Sequence, residues 1–306
     1  MGGISHHPSC LMHLATLQLP LLFLLVIFPL AGFVSFIFWR RACRSRDFRL
    51  PFEEMRRPAG WSLQSQADEL MDDFTAKYFG GILFGLALLV MAQTQVIHAA
   101  MAAIIGVPVI AVTFFWAYRD LRRFTNHRLG LRGEQVVGHV LDQLSSENLH
   151  VFHDLPANVP GHRLGNIDHV VLSPAGVFVI ETKTRRKPRK PGKDGRPGHK
   201  LTFDGKQLHF PEPMGTDTHG LSQARRNADW LAAELTADNA SPITVHAALV
   251  FSGWWVDAVG KGQITVLNEK QLKSYLTGRP SVLPTQLLNA LRSQLEKRCR
   301  IDLGAS

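Results

Sequence analysis

The 306-residue sequence predicts an α/β fold, a mixed sheet flanked by helices, preceded by an α-helical membrane region. Three observations carry that expectation. Long uncharged apolar runs are confined to the part before residue 119. Beyond it, apolar residues alternate between helical stripes and short β-branched runs. The resulting order of helix, three strands, helix and strand implies a mixed sheet covered by helices.

Residues 17–39 are apolar, carry no charge and are long enough to cross a bilayer. Residues 79–118 carry no Asp, Glu, Lys or Arg and far exceed one span. A single tilted helix of that length fits a bilayer poorly, so the run divides near Gln93-Thr94-Gln95 into crossings at 79–97 and 99–118. Pro108 in the last crossing is tolerable in a membrane helix. Residues 1–18 hold no Lys or Arg, whereas Arg40, Arg41, Arg44, Arg46, Arg49, Arg56, Arg57 and Lys77 follow the first span, and Arg119, Arg122, Arg123, Arg128 and Arg132 the last. Three spans put both basic segments in the cytoplasm and the amino terminus outside, which makes the chain a multi-pass inner (cytoplasmic) membrane protein. The positive leader of a signal peptide is absent, so the first span is expected to remain uncleaved. Between spans, residues 61–78 suit an amphipathic helix, with Leu63, Leu70, Met71 and Phe74 among Asp68, Glu69, Asp72 and Asp73. That acidic face argues against tight binding to anionic lipid and leaves packing on the following domain equally open.

The second region, 119–268, opens with Gly130-Leu131-Arg132-Gly133-Glu134. Val136, Val137, Val140, Leu141 and Leu144 then form one helical stripe, which places Glu134 in the first turn, on or beside the buried face. An acid there is favoured by the helix dipole alone; a carboxylate aimed at a metal or a water is the other reading. Residues 149–155 suit a first strand.

Residues 165–183 read as a hairpin of two apolar strands around Ser173-Pro174-Ala175-Gly176. With those four residues as the loop, Leu172 pairs with Val177 and Asp168 falls opposite Glu181, about 5 Å apart at Cβ on one face. Lys183 lies two residues on and projects to that face too. Two carboxylates this close repel unless a proton or cation lies between them. Magnesium or manganese suits carboxylate oxygens, and a lysine beside it can orient water or hold a phosphate oxygen. The plainer alternative is a Lys183 salt bridge at the sheet edge with Asp168 capping the strand, an expensive choice between two apolar strands.

Residues 184–200, a basic insertion with Arg185, Arg186, Lys187, Arg189 and Lys190, leave the sheet just after Lys183. Its cations suit a polyanion's phosphates; a solubilising loop or lipid contact is the alternative. Residues 201–208 suggest a hairpin with an Asp-Gly turn. Residues 221–235 suit a helix whose inward stripe is Ala224, Ala228, Leu231 and Leu235, with Gln223 and Asn227 at its margin. Strands follow at 244–251 and 263–267. The tail, 269–306, carries Leu287, Leu288, Leu291 and Leu295 at helical spacing and should dock or pair with a partner.

Asp168, a hairpin and then Glu181-Thr182-Lys183 form the pattern of the PD-(D/E)xK nuclease superfamily. With Gly130-x-x-Gly133-Glu134 upstream and Leu221-Ser222-Gln223-Ala224 downstream, residues 129–251 resemble the nuclease-related domain, NERD. Ile167 stands where the superfamily's name has proline. The resemblance implies a restriction-endonuclease-like fold and a Mg2+- or Mn2+-dependent endonuclease acting on nucleic acid, with DNA the favoured polymer. It implies Glu134, Asp168, Glu181, Lys183 and Gln223 as site residues, Asp168 and Glu181 as metal ligands, and Gln223 near the scissile phosphate. The bilayer and a second copy of the chain are the further candidate partners. A catalytically weak nucleic-acid-binding or membrane-organising protein on the same fold is the rival expectation.

Composition adds exclusions. Cys10, Cys43 and Cys299 are too scattered for a zinc module or a disulfide framework. His150, His153, His162 and His169 are close in sequence, but lone histidines are commonly satisfied by hydrogen bonds. No phosphate-cradling glycine loop supports an ATP-driven motor. The formal net charge is +9.

Overall fold

The structure, a computed structural model, describes residues 31–35, 56–146, 148–157, 165–188, 198–239 and 242–300. The first expected span lies outside these apart from 31–35, which are helical. Arg189, Lys190, His162, Cys10 and Cys43 also lie outside the described residues. The chain forms two compact units, one with 31–35 and 67–125 and the other with 56–66 and 126–300 among the described residues.

The first unit is built from α1 (Trp61–Gln93) and α2 (Ala99–Leu144), of which 67–93 and 99–125 belong to it. The chain reverses over 94–98, where Gln95 adopts a φ of 59°. The helices run antiparallel, because Gly81 faces Thr113 while Gly106 faces Leu88. Gly81 permits the closest approach: a Cβ there would overlap the Thr113 side chain. Lys77 Nζ binds the buried Asp120 at 2.8 Å. Phe84, Leu89, Ile104, Val107 and Phe115 face outward and are exposed. Both helices are long and apolar enough to cross a membrane.

The second unit is a mixed α/β structure. Its larger sheet has the order β1-β2-β3-β7-β9. The strands are β1 (His150–Leu155), β2 (Ile167–Ser173), β3 (Gly176–Lys183), β7 (Val245–Phe251) and β9 (Thr265–Leu267). β1, β2 and β3 are antiparallel neighbours, whereas β7 joins β3 in parallel and β9 joins β7 in parallel. Parallel neighbours need a crossover. α3 (His219–Ala237) provides it between β3 and β7.

Alternation along β2 and β3 separates two cores. Val170, Leu172, Val177 and Val179 pack under Leu231 and Leu235 of α3 and Leu288, Leu291 and Leu295 of α5 (Thr285–Arg298). Val171, Phe178 and Ile180 pack on the other face against Val137 and Leu141 of α2 and Leu272 and Leu276 of α4 (Leu272–Leu276). Helices cover both faces, which is why these strands read as nearly continuous apolar runs. Each fully buried Leu of α5 contributes about 2 kcal/mol, so the tail helix docks on its own chain.

A second sheet, ordered β6-β5-β4-β8, comprises β4 (Lys200–Phe203), β5 (Leu208–His209), β6 (Thr216–Asp217) and β8 (Trp255–Ala258). β4 and β5 form the expected hairpin, its Asp204-Gly205 turn placing Gly205 at φ 96°. Among the described residues β8 is an edge strand, paired with β4 alone.

One expectation is corrected. Glu134 is not in a first helical turn; α2 runs unbroken from Ala99 to Leu144, so a helix dipole cannot explain the acid. Val136, assigned to the buried stripe, is 46% exposed, while Val137 and Leu141 are fully buried.

Candidate active site

The hairpin register sets the site. Leu172 pairs with Val177 and His169 with Ile180, so continuing the ladder puts Asp168 opposite Glu181. The loop is tighter than the four residues expected, because Ser173 also pairs with Gly176. On the other side, His153 pairs with His169 and Leu155 with Ile167, which aligns Asp154 with Asp168. Asp154 has a φ of 49°, a left-handed conformation that an aspartate tolerates better than most residues.

Glu181 is completely buried. Its Oε1 accepts a hydrogen bond from Lys183 Nζ at 2.7 Å, and its Oε2 accepts one from Asn227 Nδ2 at 2.9 Å. Lys183 Nζ also donates to Gln223 Oε1 at 2.9 Å. Gln223 and Asn227 are four residues apart on α3 and therefore reach the same side. Asp168 Oδ2 accepts the Thr182 N–H at 2.7 Å.

Glu134 reaches the cluster from α2 and is 7% exposed. Gly133 sets that approach, since a Cβ there would overlap the Thr184 side chain just beyond β3. Gly133→Ala should destabilise the protein by about 1–3 kcal/mol. Thr184→Gly should recover much of the loss in a double variant, measured by chemical denaturation; purely additive losses would refute the clash.

The electrostatics follow from burial. Glu134 is pushed up to about 8, first by burial and then by Asp154 and Glu181. Burial, followed by Glu181 and Glu134, raises Asp168 well above the usual carboxylate range. Burial also raises Glu181, against the opposing pull of Lys183. For Lys183, burial works downward, but Glu181, Asp168 and Glu134 outweigh it and its pKa rises. When all are ionised, three carboxylates face one ammonium, and two negative charges are left uncompensated.

That deficit and the hard oxygen donors fit a divalent cation. No group of three His, Cys, Asp or Glu converges to hold a metal among the described residues as placed. Both Glu181 oxygens already hold partners.

Residues 129–252 match the family model of the nuclease-related domain, NERD. The match covers under half of the chain and takes in every member of the cluster. No curated protein and no solved structure matches the chain.

Around the NERD cluster lie residues that sequence reasoning missed. Asp154, 1% exposed, accepts from the Ser62 N–H at 3.2 Å, from the Ser62 hydroxyl, and from Arg57 Nη1 at 3.3 Å. Residues 56–62 thus strap onto the NERD fold from outside its matched range. Arg57 N–H also donates to the Cys299 carbonyl at 3.2 Å, and Ala59 is the near neighbour of Gly138. Asn227 was visible at the stripe margin, but nothing in the sequence tied it to Glu181. His153 and His169 share a hydrogen bond between their Nδ1 atoms at 2.8 Å, and His153 Nε2 meets Asp142 at 3.0 Å. Of the insertion's cations, Arg185 is paired with Asp217 and stacked on Phe210, while Arg186 and Lys187 are exposed.

Proposed function

We propose that this protein is a membrane-held, metal-dependent nuclease that hydrolyses phosphodiester bonds in nucleic acid, with DNA the favoured polymer. The observation that carries the reading is Lys183 Nζ, shared between Glu181 and Gln223 beside the half-buried Asp168 and the buried Glu134. The NERD match supports the nuclease class.

Asp168 and Glu181 would hold Mg2+ or Mn2+, with Glu134 alongside. When bound, the cation supplies a Lewis acid that acidifies water and offsets phosphate charge. The chain's own groups do the rest. Lys183 presents an N–H to a phosphate oxygen or to the attacking water, and stabilises the charge that builds up there. Gln223 fixes the ammonium's direction, and Asn227 fixes the Glu181 carboxylate. Glu134, beside the cation, is placed to exchange a proton with water. Arg186 and Lys187 would meet neighbouring phosphates without reading bases, as would Arg189 and Lys190 of the same insertion.

The antiparallel pair α1 and α2 supports membrane attachment. Two crossings would return both ends of the pair to one side, where Lys77 and Arg119 lie, and the charge bias makes that side cytoplasmic.

The test is nicking of supercoiled plasmid by the detergent-purified full chain with magnesium. Asp168→Ala and Lys183→Ala should each lower the rate by at least about 100-fold while the fold is retained. Cleavage that survives both changes removes the assignment. Tight nucleic-acid binding without cleavage in any of several metals would favour the second reading, a binding protein on the same fold; it is the occupied Glu181 carboxylate that keeps this reading open.

A further inference from the structure

Trp255 is 63% exposed on the edge strand β8, beside the equally conspicuous but fully packed Trp254, which is 2% exposed. Trp254 is accounted for: its Nε1 donates to the Arg185 carbonyl at 3.1 Å, and its ring meets Phe210. Trp255 contributes its backbone to the sheet, its N–H reaching the His199 carbonyl at 2.8 Å, and leaves its indole in solvent. An indole so exposed adds nothing to the core.

Its position gives it a use. Lys183 pairs with Phe251, and the Ser252 N–H donates to the Lys183 carbonyl at 3.1 Å. Four residues separate Phe251 from Trp255, a reach of at most about 14 Å. Trp255 therefore stands at the end of the sheet that carries Lys183. It also pairs with Lys200, where the basic insertion rejoins the fold. A cleft of about 330 Å³ opens beside the indole, lined by His199, Trp255, Asn268, Glu269, Lys270 and Gln271. Its walls combine the apolar surface of Trp254, Trp255 and Val256 with the polar edges of Asn268 and Gln271 and one cation, Lys270, and the Glu269 carboxylate accepts the Gly253 N–H at 2.9 Å. An aromatic face, polar edges and nearby cations suit a nucleobase attached to a polyanion better than a lipid chain.

We propose that Trp255 is a stacking platform for an unpaired nucleobase, so that the preferred ligand is single-stranded or frayed nucleic acid. This rests on the nuclease reading of the Lys183 site for its biological sense, but its measurement does not require cleavage. A base buried in a duplex stack has no free face to offer the indole, whereas every unpaired base does.

The experiment uses the full chain in neutral-lipid nanodiscs, in EDTA, with fluorescein-labelled dT15, rU15 and a 15-base-pair duplex followed by anisotropy. Wild type should bind a single strand more tightly than duplex. Trp255→Ala should weaken single-strand binding about tenfold, Trp255→Phe should restore most of it, and duplex binding should change less than twofold. Equal single-strand affinity in wild type and Trp255→Ala overturns the proposal, even if magnesium-dependent nicking is intact. Loss of single-strand binding in Trp255→Ala upholds it, even if no cleavage is ever seen, in which case the hydrolytic reading alone fails. A Trp255-dependent interaction with phosphatidylserine vesicles, with oligonucleotide binding unchanged, would also overturn it.

Discussion

Without divalent metal, the protein is expected to lose stability as the pH rises from 6.5 to 8, and magnesium should abolish most of that loss. Glu134 is raised from the ordinary 4.5 to about 8, so between those values the folded chain holds a proton that the unfolded chain releases. Stability from that proton is fully present below 4.5 and disappears as the pH passes through 8. Asp168 and Glu181 are shifted in the same direction. The histidines with resolved shifts, His150, His169 and His246, are lowered and act below 6.5. Lys183 is raised from 10.5 and acts above the window. Glu134 alone should contribute about 2 kcal/mol between pH 6.5 and 8, or about 5 °C in Tm. Thermal melts in EDTA and in magnesium across that range provide the measurement, with Glu134→Gln expected to flatten the EDTA curve. A curve equally steep in Glu134→Gln and wild type would show that the acid cluster is not its source.

A fragment beginning at residue 119 should fold poorly, although it contains the whole NERD match. Cutting there removes Arg57 and Ser62, and the Asp154 side chain, 2% exposed, keeps only Asn166 of its hydrogen-bond partners. Stranding a buried carboxylate costs about 3–5 kcal/mol, a large part of a domain's stability. Removal of Ala59 also uncovers α2 at Gly138. Arg57→Ala combined with Ser62→Ala in the full chain should reproduce most of the loss. Asp154→Asn should fall in between, because it keeps hydrogen bonding without the charge. A 119–306 fragment with the full chain's resistance to urea and unaltered amide exchange in β1 would defeat this expectation.

The hairpin and the helical stripes were legible because their signals are local. Period-two alternation and the Ser173–Gly176 turn determine which residues of β2 and β3 face α3, and hence that Asp168, Glu181 and Lys183 share a face. Ala224, Ala228, Leu231 and Leu235 likewise mark the buried side of α3. The strap at 56–62 was hidden because its partner, Asp154, is more than 90 positions away. The second sheet was largely missed because β5 and β6 have two residues each, too few to display a period. Glu134 was misplaced because the apolar stripe of its helix begins only at Val136. Gly133 serves close packing against Thr184, and tertiary contact outweighs its weak helix propensity.

A carboxylate in the middle of a continuous helix has few ways to move. No backbone dihedral near Glu134 can change without breaking hydrogen bonds in the turns before and after it. Across from it, β3 ends at Lys183, and beyond it Thr184 packs on Gly133 while the Arg185 carbonyl accepts the Trp254 indole N–H. The acid is thus presented at a fixed position, and a ligand must come to it.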